Sequence, residues 1–381
     1  MTIDPMVPDI PFNIPAVNDA SRRYVMESLE NRHTSGDGPF TNRCHALLEK
    51  RLNGRVLLTH SGTSALELAT LLAEIGPGDE VIMPSFTFSS TANAVALRGA
   101  TPVFVDIRPD TLNIDENAIE PAITPATKAI LPIHYAGICA EMDTINAIAA
   151  RHNLFVFEDA AQALGSTYKG RPAGTLSQAG AFSFHQSKNI VSGEGGALWM
   201  ADGHHANRAE TIREKGTNRR QFLRGAVDKY TWVDIGSSYL PSDLVAAYLL
   251  SQLEEVDAIT HYRANCFDYY MAAFADLAAG GRVELPTVPD DCTTNGHLFY
   301  LLLNDAEDRD AFIAHMKAAG ITCPFHYVPL HSTPAGVRYG RADCPLPVTD
   351  MQSARLVRLP LYLGVEPQLF RIATISRSYL N

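Results

Sequence analysis

Between residues 56 and 200 short apolar runs alternate with segments of helical pattern, and this alternation restricts what the chain can fold into more than any other feature. Strand-like runs fall at 56–59, 80–83, 102–105, 129–133, 154–157, 179–184 and 197–200. Helical pattern occupies the stretch opened by Ser61 and residues 89–98, 115–122, 142–152 and 206–214. Strands buried on both faces read as continuous apolar runs, and regular βα alternation predicts a largely parallel, doubly wound sheet with helices on both sides. Periodicity alone does not separate this from a barrel.

Outside that block, residues 17–30 and 42–52 read as helices around a loop at 34–39. A long Ala/Leu-rich helix, 244–266 or beyond, reads as the link to a second unit with helices at 267–279 and 309–319 and strands at 297–303 and 322–327. The expected division is a large domain over 1–254, N-terminal segment included, and a smaller α/β domain over 255–381. With 381 residues, 46% of them hydrophobic, the chain can bury two such cores.

A formal net charge of −11 argues against a general nucleic-acid surface, so an anionic ligand must be held by a local cluster. The six cysteines are scattered without metal-ligand spacing and read as reduced thiols of a cytoplasmic protein. Residues 1–15, with four prolines and no apolar core, do not read as a signal peptide, and no apolar run is long enough to span a bilayer.

Chemistry is expected at the ends of the strands. Lys188 follows the strand 179–184 and precedes Gly193-Glu194-Gly195-Gly196, which places it in the crevice beyond the carboxyl ends of a parallel sheet. A desolvated lysine loses its charge more readily, and only the neutral amine forms a Schiff base with an aldehyde. By itself such a residue is more often a solvated surface lysine. Ser61-Gly62-Thr63-Ser64 at a helix start offers free N–H groups and a positive dipole end to an anion, although a plain Ser/Thr cap fits the same residues. Glu158-Asp159 closes a strand, so the two carboxylates point opposite ways: Asp159 inward, Glu158 toward solvent or an arginine. Asp159 as a helix cap is the plainer reading. Arg219 and Arg220 lie in the most basic stretch, which suits either a diphosphate or a solvated face. His326 reads as a packed histidine beside Tyr327, and Asp106, Asp110 and Asp115 as a solvated acidic loop.

Taken together, the motifs resemble the DegT/DnrJ/EryC1/StrS family of pyridoxal-phosphate-dependent sugar aminotransferases. They are Ser61-Gly62-Thr63-Ser64, Pro84-Ser85-Phe86-Thr87-Phe88, Glu158-Asp159-Ala160-Ala161-Gln162 and Phe182-Ser183-Phe184-His185-x-x-Lys188-Asn189, in that order and over nearly the whole chain. The resemblance implies a type I aminotransferase fold and a homodimer with shared active sites. It implies that Lys188 is the Schiff-base lysine and proton carrier, and that Asp159 pairs with the pyridine nitrogen. Gln162 would lie near the ring hydroxyl and Phe88 against the ring face, with Gly62, Thr63 and Ser183 cradling the phosphate. Where many relatives carry Asn for the neighbouring subunit's cofactor phosphate, this chain has Ser238. Lysine at 188, where family dehydratases have histidine, implies transamination.

The reaction so implied moves an amino group from L-glutamate to the 4-keto carbon of dTDP-4-keto-6-deoxy-D-glucose. Its products are 2-oxoglutarate and dTDP-4-amino-4,6-dideoxy-D-galactose, the aminosugar of enterobacterial common antigen. Arg219, Arg220, His326 and Tyr327 are the expected sugar-nucleotide contacts. The alternatives are another UDP- or GDP-linked keto sugar or amination at C3, and, further off, a non-catalytic cofactor-binding regulator. A nicotinamide dehydrogenase fits poorly, because Gly193–Gly196 is no G-x-G-x-x-G and precedes a strand.

Overall fold

The computed structural model of the chain describes residues 9–201 and 203–381, so the first eight residues of the expected N-terminal segment lie outside it. At its centre is a sheet of β1 (Arg55–Thr59), β2 (Glu80–Pro84), β3 (Thr101–Val105), β4 (Thr127–Ile130), β5 (Phe155–Asp159), β6 (Ala179–Ser183) and β7 (Gly196–Met200). The spatial order is β1-β7-β6-β5-β4-β2-β3. Of the seven, β7 runs against its neighbours β1 and β6, and the other pairs are parallel. This is the mostly parallel, doubly wound sheet that the alternation predicts.

The helices are α1 (Asp19–Glu30), α2 (Pro39–Leu52), α3 (Gly62–Leu72), α4 (Ser89–Ala96), α5 (Met142–His152), α6 (Gly203–Arg213), α7 (Arg219–Leu223), α8 (Asp243–Leu253), α9 (Val256–Ala279), α10 (Ala306–Ala318), α11 (Pro334–Tyr339), α12 (Pro347–Arg355) and α13 (Leu369–Leu380). Successive strand residues point to opposite faces. Accordingly Val56, Leu58 and Ile82 share one core with α2, α5 and α8, while Leu57, Val81 and Met83 share the other with α3, α4 and α6. A third core joins α9, α10 and α13 to a two-stranded sheet, β8 (Phe299–Leu302) against β9 (Leu356–Leu359). Ile10 belongs to this third core and bonds through its backbone to Gly320 and Thr322, so the N-terminal segment packs with the C-terminal elements.

Four local expectations give way to packing. Residues 115–122 form two 3₁₀ turns, 116–118 and 120–122, because Pro121 has no N–H and its ring obstructs a continuing α-helix. The long helix from 244 breaks at Glu254-Glu255, where Glu255 adopts φ −107 and ψ 10. Glu254 is held there by Tyr24 and Arg43, so α8 stays with the sheet while α9 continues through 267 into the third core. Residues 322–327 are no strand: Pro324 lacks a donor, and Tyr327 has φ 26, a left-handed conformation that bulky residues avoid. The acidic loop is not simply solvated either. Asp106 caps α12 through Val348 and Thr349, and Asp110 pairs with Arg108.

Candidate active site

The carboxyl ends of β1, β2, β5 and β6 converge on one edge of the sheet, and a cavity of about 700 Å³ opens between them and the C-terminal elements. Of the residues singled out from sequence, Gly62, Thr63, Phe88, Asp159, Gln162, Ser183, Lys188, His326 and Tyr327 all line it.

Lys188 sits in the turn that follows β6, its N–H donated to the carbonyl of His185 at 2.8 Å. Desolvation of the amine lowers its pKa to about 8, against an opposing pull from the Asp159 charge. Asp159, the last residue of β5, is buried, and burial raises its carboxyl above the usual range. It stays hydrogen-bonded: Oδ2 accepts from the Thr91 hydroxyl at 2.8 Å and Oδ1 from the Ala161 N–H at 3.1 Å. Glu158 does turn the other way but meets neither solvent nor arginine. It is fully buried against His134 and accepts from Gly174, Leu176 and Ser177, which ties β5 to the segment leading into β6.

The helix-start site also forms. Ser61 caps α3 by accepting from Ser64 at 3.1 Å, and the first i→i−4 bond runs from Ala65 to Ser61. The N–H groups of Gly62 and Thr63 precede that bond and face the dipole's positive end. Gly62 lies so close to β6 that an added Cβ would stand 2.8 Å from the Cβ of Ser183, so the glycine is what lets the helix start lie against that strand. Gln162 is fixed at both ends, its Oε1 accepting from Ala136 at 2.7 Å and its Nε2 donating to the Tyr327 hydroxyl at 2.8 Å. Phe88 is 59% exposed at the cavity and tilts toward the Tyr327 ring, centroid to centroid 6.3 Å, so it presents an apolar face to the cavity.

Three expected residues lie elsewhere on the chain. Ser238 is exposed and bridges to Glu214, Arg219 pairs with Glu214 at 2.7 Å, and Arg220 stands 3.7 Å from both Asp37 and Glu210; none lines this cavity. The structure in turn supplies residues that the motifs do not name. Thr91 supports Asp159; His297 binds Asn189, the neighbour of Lys188, at 2.8 Å; Arg263 and Arg358 reach the wall from α9 and β9. Burial holds both His297 and His326 well below the ordinary histidine range, and His326 bonds to the Tyr135 hydroxyl at 2.8 Å.

The donor set fits pyridoxal phosphate: an anion seat at a helix start, an amine poised to bond an aldehyde, a buried carboxylate for a ring nitrogen, and an open aromatic face. This fold and site define an aminotransferase of the lysine-dependent kind. The model of the DegT/DnrJ/EryC1/StrS aminotransferase family matches residues 15–373, and the chain belongs to that family. It is 34% identical to the GDP-perosamine synthase of Caulobacter vibrioides over 365 residues, 94% of this chain and 95% of that one. The S. venezuelae protein DesV, solved in complex with a ketimine intermediate, superposes with a TM-score of 0.89 at 31% identity, over 98% of this chain and 99% of that one. NtdA from Bacillus subtilis, with bound cofactor PMP, superposes at 0.88 and 29% identity over 100% of this chain and 87% of that one. The protein is a pyridoxal-phosphate-dependent aminotransferase.

Proposed function

We propose that this enzyme aminates C4 of dTDP-4-keto-6-deoxy-D-glucose with L-glutamate as donor, acting as a dTDP-4-amino-4,6-dideoxygalactose transaminase in the cytoplasm. The observation that carries the reading is the convergence of Lys188, Asp159 and the start of α3 in one cavity. Bound pyridoxal phosphate supplies an aldehyde that carries the migrating nitrogen and a ring that takes up the electron pair left when a proton leaves the substrate carbon. Lys188 holds the cofactor and then, released, carries that proton as base and returns it as acid. Asp159 keeps a proton on the ring nitrogen, and Gln162 orients the ring hydroxyl. Phe88 covers the ring face; Gly62, Thr63 and Ser183 seat the phosphate.

Ser238, Arg219 and Arg220 act in this reading at the neighbouring site of a homodimer, and His326 and Tyr327 line the path of the sugar. Of the described residues, those up to 254 make up the cofactor domain in this reading, apart from the strand-like start at Ile10 that packs with the smaller domain over 255–381. The likeness to a GDP-perosamine synthase supports a second reading, a GDP-linked 4-keto sugar as acceptor. Assay of dTDP-, UDP- and GDP-linked keto sugars with glutamate, with NMR of the product, decides between them. Turnover confined to a GDP-linked acceptor overturns the first reading, and native absorbance of bound cofactor in Lys188→Ala overturns the role of the lysine.

A further inference from the structure

Cys139 and Cys292 come from distant parts of the chain and meet behind the site. Both are buried, and both belong to one apolar core. The Cys292 thiol is within hydrogen-bonding reach of the thiol and the backbone N–H of Cys139. The segments that carry them are also laced together without the sulfurs. Ser166 Oγ donates to the carbonyl of Gly137 at 2.6 Å and accepts the N–H of Asn295 at 3.1 Å. Gly137, with φ 78, lies so near that an added Cβ would stand 2.0 Å from Asn295 Oδ1. The short strand Cys292–Thr293 pairs with Thr167–Tyr168, and the Tyr168 hydroxyl donates to Glu141 at 2.5 Å.

The two thiols are not equivalent. Cys139 is 3% exposed, and its bond to Cys292 together with burial pushes its thiol up. Cys292 stands between the exposed residues Asp291 and Thr293. Donation from Cys139 holds its thiol below the usual range, against burial and the Asp291 carboxylate 3.7 Å away. A thiol of this kind near solvent is the attacking group, and the covered thiol beside it is the resolving one.

Asn295 carries any movement of the pair to the site. Its Nδ2 donates to the carbonyls of Gln162 and Leu164, both at 2.9 Å, and its own carbonyl accepts from Asn189, the neighbour of Lys188, at 3.0 Å. A sulfur–sulfur bond of about 2 Å is shorter than any non-bonded contact between two sulfurs. Closing it draws the two segments together, and the contact of Gly137 with Asn295 leaves no slack to absorb the change.

We propose that Cys139 and Cys292 are a site of reversible oxidation by hydroperoxides, whose closure to a disulfide slows amino transfer through Asn295. The Cys292 sulfur attacks one peroxide oxygen: an S–O bond forms, the O–O bond breaks, and the other oxygen leaves as water or an alcohol with the Cys292 proton. The Cys139 sulfur then displaces the hydroxyl, which leaves as water with the Cys139 proton. Two thiols give up two electrons, the peroxide takes them, and a dithiol reductant restores both thiols. The effect on rate rests on the aminotransferase reading above; the disulfide does not.

The test treats the cofactor-loaded Cys344→Ser enzyme, which lacks the exposed thiol, with equimolar hydrogen peroxide. Peptide mapping without reduction finds residues 139 and 292 in one cross-linked pair. Uptake of nitrogen from L-glutamate, followed by the absorbance of the cofactor, slows about tenfold, as small displacements of reacting groups do, and dithiothreitol restores it. Adding Cys139→Ser stops the reaction at a sulfenic acid on Cys292, which dimedone labels, and adding Cys292→Ser leaves the rate unchanged by peroxide. Absence of the cross-linked pair, or a pair that forms with the rate unaltered, overturns the proposal. Reduced enzyme that takes up no nitrogen from glutamate overturns the donor assignment instead, and the peptide map still decides the pair.

Discussion

The hydroxyl of Thr91 donates to Oδ2 of Asp159 at 2.8 Å, and since its one proton is committed there, it must accept from Thr87, also at 2.8 Å. A two-hydroxyl chain from the start of α4 thus stabilises the ionised form of a carboxylate that burial would otherwise neutralise. In Thr91→Val the Asp159 pKa moves further up and kcat falls about tenfold, the weight of a hydrogen bond to a charged group. The acid limb of the pH–rate profile shifts upward with it. Thr91→Ser retains both bonds and both values. A valine variant with the native acid limb would show the pair to be incidental.

Lys188 has its own pH signature. With the amine held at about 8 rather than 10.5, its neutral form prevails above pH 8, so uptake of pyridoxal phosphate by the cofactor-free protein speeds up through that pH and then levels off. The Asp159 charge raises the lysine value, so Asp159→Asn moves the inflection lower. Rates of absorbance change at a series of pH values check both, and an inflection near 10.5 in the wild type would refute the desolvation argument.

Close approach of α3 to β6 predicts a size limit at Gly62. Alanine there meets the Ser183 Cβ at 2.8 Å, and the clash weakens cofactor binding roughly ten- to hundredfold, as overpacking does. Gly62→Ala combined with Ser183→Gly loses less than the sum of the two single changes, because the second removes the Cβ and Oγ struck, although Ser183→Gly by itself also weakens the phosphate seat. Equilibrium titration with the cofactor measures the cycle, and additive losses would place the fault elsewhere.

His45 links stability to pH away from the site. Its Nε2 accepts the Leu58 N–H at 3.0 Å, and burial, helped by the charge of Arg213, lowers its pKa from 6.5 to about 3. The folded value lies below the unfolded one, so the unfolded chain binds the extra proton. The contribution of His45 is complete above pH 6.5 and is lost as pH falls toward 3, at up to about 1.4 kcal/mol per pH unit. His45→Gln, which has no such proton, flattens the decline of urea midpoints over that window. An equal slope in both proteins would contradict the assignment.

Much of the site could be read from motifs because each motif is local. Ser61 to Ser64 is a helix start, Glu158-Asp159 a strand end and Lys188 a strand exit, and such positions follow from short-range pattern. Thr91, His297, Arg263 and Arg358 could not be found this way, since each acts on a residue dozens to more than a hundred positions away. The arginine inside the apolar run 356–361 is a local signal by which one of them could have been marked. Helix ends went astray at Pro121 and at Glu254-Glu255 for opposite reasons, one a backbone constraint that the pattern outvoted and the other a tertiary grip by Tyr24 and Arg43.

Sequence by itself determined the doubly wound core, the order of its motifs and the choice of lysine at 188, because side-chain periodicity and turn chemistry act over a few residues. Only the tertiary structure decided which charges share a cavity and how far each is desolvated. It turned Glu158 into a buried tie, set Arg219, Arg220 and Ser238 away from this chain's own cavity, and brought Arg263 and Arg358 to the wall of it. Those outcomes depend on electrostatics and packing between distant segments, which fall off with distance in space and not along the chain.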